Sequence, residues 1–150
     1  MIEAMLGLSK RNIENSYNNE NPENLLLIRA NVELIENVFS KEDEVNRIYI
    51  NFCNPWPKEK HKKRRLTHTR QLEKYKTFLK DNAEIYFKTD DDELFNDSLE
   101  YFENSGFDII SKTYDLHTEN IFGVNIMTEH EEMFSNEGIK IKALIAIKKN

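Results

Sequence analysis

The apolar positions of this chain change period several times, and each change marks an element boundary. Residues 1 to about 15 read as the tail of a strand followed by a short helix, and the Asn, Glu and Pro residues of 18–24 read as a polar loop. Leu25, Leu26, Leu27 and Ile28 then form a continuous apolar run, as a strand buried on both faces would. Leu34, Ile35, Val38 and Phe39 return at helical spacing. Residues 45–52 are β-branched and aromatic, and that strand stops at Cys53-Asn54-Pro55-Trp56-Pro57, where two prolines forbid a continued ladder.

Further along, Thr67 or Thr69 can cap a helix in which Leu72, Tyr75, Phe78 and Leu79 share one face, with Lys80-Asp81-Asn82 ending it. Residues 83–89 read as a strand. Asp90-Asp91-Asp92-Glu93 supplies a cap and first-turn acids for a helix using Leu94, Phe95, Leu99 and Phe102, with Gly106 as its C′ residue. Residues 107–116 form another strand, 118–128 a loop with a short helix after it, and Ile139, Ile141, Ala143, Ile145 and Ile147 alternate as a last strand. Strands separated by helices predict one domain over residues 1–150, built on a mostly parallel, three-layer α/β sheet.

Composition narrows the class. The chain is 39% hydrophobic, 32% charged and poor in Gly and Pro, which excludes fibrous, disordered and membrane-spanning classes. Met1-Ile2-Glu3-Ala4-Met5 lacks the marks of a secretory signal, so a cytoplasmic location is expected. Cys53 is the only cysteine, which rules out an intrachain disulfide. His117 and His130 stand too far from other ligand types to suggest a metal site, and none is expected.

The net charge of −6 argues against a nucleic-acid partner, but the positive charge is clustered. Lys58, Lys60, Lys62, Lys63, Arg64 and Arg65 fall within residues 58–65, just after a strand end, where open α/β sheets bind ligands. Such a run is often only a solvated face. Trp56 beside it shifts the reading toward nucleic acid, because an aromatic ring next to cations suits base and phosphate contact.

The stretch 51–67, Asn-Phe-Cys-Asn-Pro-Trp-Pro-Lys-Glu-Lys-His-Lys-Lys-Arg-Arg-Leu-Thr, closely resembles the (N/F)-F-x-D-P-W-x-K-x-x-H-x-K-R-R motif of the bacterial tRNA (guanine-N7)-methyltransferase family. Two further pieces follow in the family's order: Phe87-Lys88-Thr89-Asp90, and Thr128-Glu129-His130-Glu131 with Phe134 after it, which is similar to the family's terminal T-x-x-E segment. The resemblance spans essentially the whole chain. It implies a Rossmann-like class I methyltransferase sheet with helices on both faces, S-adenosyl-L-methionine as cofactor, and methyl transfer to a guanine in the tRNA variable loop.

Carried over position by position, the resemblance implies that Glu3 holds the cofactor ribose hydroxyls, that Asn31 lies near the adenine, and that Asn54 stands at the catalytic and cofactor-contacting position of the family's D-P-W aspartate, which would orient the guanine edge. Lys58, Asp90, Thr128, Glu129, His130 and Glu131 are the implied substrate contacts, and Lys62, Lys63, Arg64 and Arg65 the implied phosphate contacts. Read without the resemblance, Asp90 is an ordinary helix cap.

Two departures matter. Asn54 replaces a charge-assisted acceptor with one neutral oxygen and an NH₂ donor, a loss of roughly 1.5–3 kcal/mol, or about 10- to 100-fold. The family's first strand and its E-x-G-x-G turn precede the position of Glu3, and Gly7, Gly106, Gly123 and Gly138 form no G-x-G arrangement here. A sheet lacking that first strand is expected to have open edges, marginal stability, and a tendency to pair with itself or with a separately made N-terminal piece. Two functional readings therefore stay open: a tRNA methyltransferase, and a weak or inactive remnant that binds tRNA through its basic loop. A third, an unrelated α/β interaction module, requires three ordered motif matches to be accidental.

Overall fold

The computed structural model describes the backbone of residues 2–18 and 22–149, with side chains from residue 7 onward in those ranges. The chain divides into two compact units, Met1–Asn31 and Val32–Asn150.

The first unit is built on helix α1 (Ile2–Ser16), where Lys10 and Glu14, one turn apart, approach to 3.6 Å. The expected strand tail at the amino end is therefore helical. Glu3 lies within α1 rather than after a strand, and its side chain is outside the described residues. The strand expected at 25–28 is also absent: these residues are irregular and Leu26 is 82% exposed. A strand buried on both faces needs hydrogen-bonded neighbours and two covering layers, and the described part of this unit offers no strand to pair with.

The second unit opens on a 3₁₀ segment, Val32–Asn37, in place of the expected helix, with Leu34 off helical geometry. A four-stranded sheet follows, in the order β1 (Val45–Asn51), β2 (Leu79–Thr89), β4 (Lys142–Lys148), β3 (Phe107–Thr113). β1 and β2 pair in parallel, whereas β4 is antiparallel to both β2 and β3. Hence β1, β2 and β3 share one direction and β4 runs against them, which makes the sheet mixed. The alternation expected in the last strand is replaced by continuous burial over residues 142–146, because β4 sits between two strands with both faces covered.

β2 begins four residues earlier than the sequence suggests. Lys80-Asp81-Asn82 makes an irregularity within the strand, with Asn82 at φ +62° and a register shift opposite residues 45–47. Helix α2 (Thr69–Lys76) is capped by the His68 ring, which accepts from the Arg70 amide at 3.1 Å, rather than by a threonine. Helix α3 (Asp92–Asn104) is capped by Asp91 and followed by Gly106 at φ +70°.

Ile85, Phe87, Leu144 and Ala146 line one sheet face against Leu72 and Tyr75 of α2 and Leu94, Phe95 and Phe102 of α3. Each side chain buried here contributes roughly 1.5–3 kcal/mol. A smaller cluster of Leu116, Ile141 and Ala143, with Phe52, Phe122 and Phe134, gathers the one-turn helix α4 (Leu116–Glu119) and helix α5 (Glu129–Asn136) near the carboxyl end of β1. No helix among the described residues is long and apolar enough to cross a membrane.

Candidate functional site

Asn51 of β1 is in register with Lys88 of β2, so the carboxyl ends of the two strands emerge side by side. Beyond Asn51 the chain turns sharply. Phe52 has φ +50° and Trp56 φ +43°, costly for residues with a Cβ and retained where the surroundings over-determine them. The Phe52 amide donates to the Lys88 carbonyl at 3.0 Å, and its ring lies 6.2 Å from the His130 ring and 5.9 Å from that of Phe134. The Asn54 side-chain oxygen accepts from the Trp56 amide at 3.0 Å, closing an Asx turn.

The basic run forms a 3₁₀ segment, Glu59–Arg64, with Lys58 at its N-cap. Its cations divide into two sets. The Arg65 side chain is fully buried: Nε donates to the Pro55 carbonyl at 2.6 Å, one terminal nitrogen to Asp97 at 2.5 Å, the other to Glu93 at 3.2 Å. Lys62 joins the same carboxylates, 3.0 Å from each, and reaches Glu59 at 3.1 Å. Burial disfavours the Arg65 charge, but Asp97 and Glu93 outweigh it and hold the guanidinium protonated. Lys62 hydrogen-bonds the Glu93 carboxyl and, with Arg65, holds it below the usual range. Arg65 and Lys62 are thus a clasp that ties the Pro55–Trp56 turn to α3. The expectation that they meet phosphates is corrected for Arg65, which has no solvent-facing surface, and for Lys62, whose charge is met by three carboxylates. Lys58, Lys60, Lys63 and Arg64 are exposed, and the Arg64 guanidinium lies 5.2 Å from the centre of the Trp56 ring.

At the far wall, Thr128 and Glu131 form a capping box at the start of α5. Glu131 is fully buried and its carboxylate is a hub. Oε2 meets the buried Lys88 ammonium at 2.5 Å; Oε1 accepts from Asn125 at 2.6 Å and meets His117 Nε2 at 2.7 Å. Burial would raise the Glu131 pKa, but Lys88, His117 and Asn125 lower it further. Lys88 also donates to the Asn125 side chain at 3.1 Å and to the Ile126 carbonyl at 2.9 Å. A hollow of about 590 Å³ lies between these groups and the strands, with Asn51, Tyr86 and Lys88 on the sheet side and Phe122, Asn125 and Thr128 on the loop side.

Asp90 follows β2, and its charge is felt at Cys53. Asp91, not Asp90, accepts from the Leu94 amide at 2.6 Å, so the helix-cap reading of Asp90 is wrong and its carboxylate is free of that duty. Glu129 and His130 are exposed on the first turn of α5. Asn31 is exposed at the end of the other unit. Lys88, Asn125 and His117 were not singled out from sequence as site residues; a lysine inside an apolar strand was the one available signal, since a buried lysine demands a partner.

Comparison with known proteins gives a consistent answer. The family described as "Putative methyltransferase" matches residues 4–144. The chain is 63% identical over 150 residues to the tRNA (guanine-N(7)-)-methyltransferase of Clostridium beijerinckii, and 59% identical to that of Clostridium botulinum strain Eklund 17B, covering 99% of this chain and 68% of each relative. This chain belongs to the tRNA (guanine-N7)-methyltransferase family. The Acetivibrio thermocellus member is 49% identical over 98% of this chain and 68% of its own length, so this chain spans about two thirds of the length of these relatives. A chain from a solved complex of the Haloferax volcanii Trm112 methyltransferase activator with a methyltransferase superposes with a TM-score of 0.54 over 92% of this chain and 68% of its own, at 10% identity. That likeness speaks to the fold, an α/β sheet of the methyltransferase type.

The close-approach turn that the resemblance implies for S-adenosylmethionine is not found among the described residues. Gly7 lies in α1, while Gly106, Gly123 and Gly138 have positive φ and serve turns elsewhere. The residues described here do not complete a cofactor cradle.

Proposed function

We propose that this chain carries the RNA-facing part of a tRNA (guanine-N7)-methyltransferase, which places a variable-loop guanine in the hollow at the carboxyl ends of β1 and β2. The observation behind this reading is the hollow itself, lined by Asn51, Lys88, Asn125 and Thr128 at the strand ends from which the Asn54 turn and Asp90 leave the sheet.

The reaction makes modest demands of the protein. Guanine N7 already has a free lone pair, so no proton is removed from it, and orientation supplies much of the rate. S-adenosylmethionine, when bound, provides the electrophilic methyl group. Methylation leaves positive charge on the ring, which a nearby carboxylate such as Asp90 stabilises as it develops. Lys58 is suited to anchor the RNA beside the base, and Lys60, Lys63 and Arg64 to meet phosphates. The buried Glu131 acts from behind the wall, because both its oxygens are taken by protein donors.

A second reading, a remnant that binds tRNA with little turnover, draws on Asn54. Its single acceptor oxygen is spent on the Trp56 amide, leaving an NH₂ donor where an aspartate would keep a second acceptor. Calorimetric titration with S-adenosylmethionine, paired with a tRNA gel shift, separates the readings. Micromolar binding of both supports the enzyme, tRNA binding alone supports the remnant, and binding of neither contradicts both.

A further inference from the structure

The walls of the hollow differ in what holds them. The strand side is part of the sheet, whereas residues 120–128 form a loop with few apolar anchors: Val124 is 88% and Ile126 80% exposed. Its hold on the domain at the 125–128 end is polar, through the Asn125 side chain to Glu131 and through Lys88 to the Asn125 side chain and the Ile126 carbonyl. Lys88 and Glu131 share that hold, and the Glu131 carboxylate fixes Lys88 as well as Asn125.

His117 fixes that carboxylate from outside. It stands on α4, whose place is set by the buried Leu116, with its amide bonded to the Ile141 carbonyl at 2.8 Å, and by Asp115, which caps the turn and pairs with Lys140 at 3.0 Å. A carboxylate only accepts, so the imidazole Nε2 carries the hydrogen in its 2.7 Å contact with Glu131. Nδ1 faces Ser135 Oγ at 3.3 Å, which orients the ring from its other side. With Lys88 on Oε2 and His117 and Asn125 on Oε1, the carboxylate plane cannot rotate without breaking a charge-assisted bond.

We propose that His117 is a positioning residue for the site: by locking Glu131 it keeps Asn125 and the 125–128 backbone in the wall of the hollow, and so sets the preference for guanine. This rests on the reading that the hollow receives the base. His117 touches no substrate in this scheme. Its side chain is about one-third exposed, so its removal leaves the packed core intact.

The test measures equilibrium binding of two tRNA transcripts, one with guanine and one with adenine at the variable-loop position, to the whole chain. The wild type, His117→Ala and His117→Gln are compared, with melting curves on each. The expected result is a guanine-over-adenine preference in the wild type that falls about tenfold in His117→Ala, the scale of one charge-assisted hydrogen bond. Affinity for the adenine transcript, set by phosphates, should stay within about twofold, as for a surface substitution. His117→Gln, which retains an N–H donor, should restore most of the preference. Unchanged preference in His117→Ala overturns the proposal, and so does loss of the melting transition in both variants, which would make His117 a folding residue. A wild-type chain that binds tRNA with no guanine preference overturns the base-binding reading itself, and the proposal with it.

Discussion

At the scale of single residues, Asn54 carries the sharpest consequence. Its oxygen closes the Asx turn with the Trp56 amide, so the local fold survives without a carboxylate, whereas an acceptor facing the base does not. Asn54→Asp should keep the turn and add a charged acceptor, strengthening guanine-dependent methyl transfer or base discrimination by about 10- to 100-fold, as turnover or competitive binding would measure. The Lys88–Glu131 pair predicts the opposite kind of effect. Both side chains are buried, so removing one partner strands a charge and should cost about 3–5 kcal/mol in urea unfolding, while Lys88→Met with Glu131→Gln should cost less than the sum of the single changes. The motif residues were legible from sequence because the resemblance names positions. The jobs of Arg65, Lys62 and Glu131 were not, because identical residue types serve phosphate contact and internal ion pairing, and only the placement of Glu93 and Asp97 decides between them.

Among elements, the clasp between the basic loop and α3 should respond to acid. The Glu93 and Asp97 carboxyls sit below their ordinary values of 4.5 and 3.8. Burial opposes ionisation at Asp97, and hydrogen bonds from Lys62 and Arg65 overcome it. Because folded-state values are depressed, the stabilisation is complete above the unfolded-state values and is lost as pH falls through the folded ones. The urea midpoint should therefore hold near neutrality and drop below about pH 4.5, with a shallower drop in Asp97→Asn. Sequence periodicity found β1, α2, α3 and Gly106, where side chains answer to one buried face. It failed at residues 25–28, where an apolar run is compatible with several structures and no strand is at hand to pair with. It also missed the early start of β2, since Lys80-Asp81-Asn82 carries a turn signature that the sheet absorbs as an irregularity.

For the molecule as a whole, the charge pattern separates binding from folding. The surface offers tRNA the exposed side chains of Lys58, Lys60, Lys63 and Arg64, so four phosphate contacts predict a log–log salt slope of about −3 to −4. Lys63→Ala should reduce that slope by about one and leave stability unchanged, whereas Arg65→Ala should unfold the loop and lower stability. β1 is the outer strand of the sheet, with no partner beyond it among the described residues, and an apolar groove of about 470 Å³ lined by Val32, Ile35, Phe39 and Tyr75 lies beside it. The mixed α/β sheet agrees with the methyltransferase fold.

The decisive measurement is methyl transfer from labelled S-adenosylmethionine to a tRNA transcript with guanine in the variable loop and to one carrying 7-deazaguanine there, with the wild-type chain and Asn54→Asp. Label is expected at that guanine only, none in the 7-deaza transcript, with a faster reaction in Asn54→Asp. Label elsewhere in the tRNA, or equal label in the 7-deaza transcript, would contradict it, and no transfer while tRNA binding persists would decide for the remnant reading.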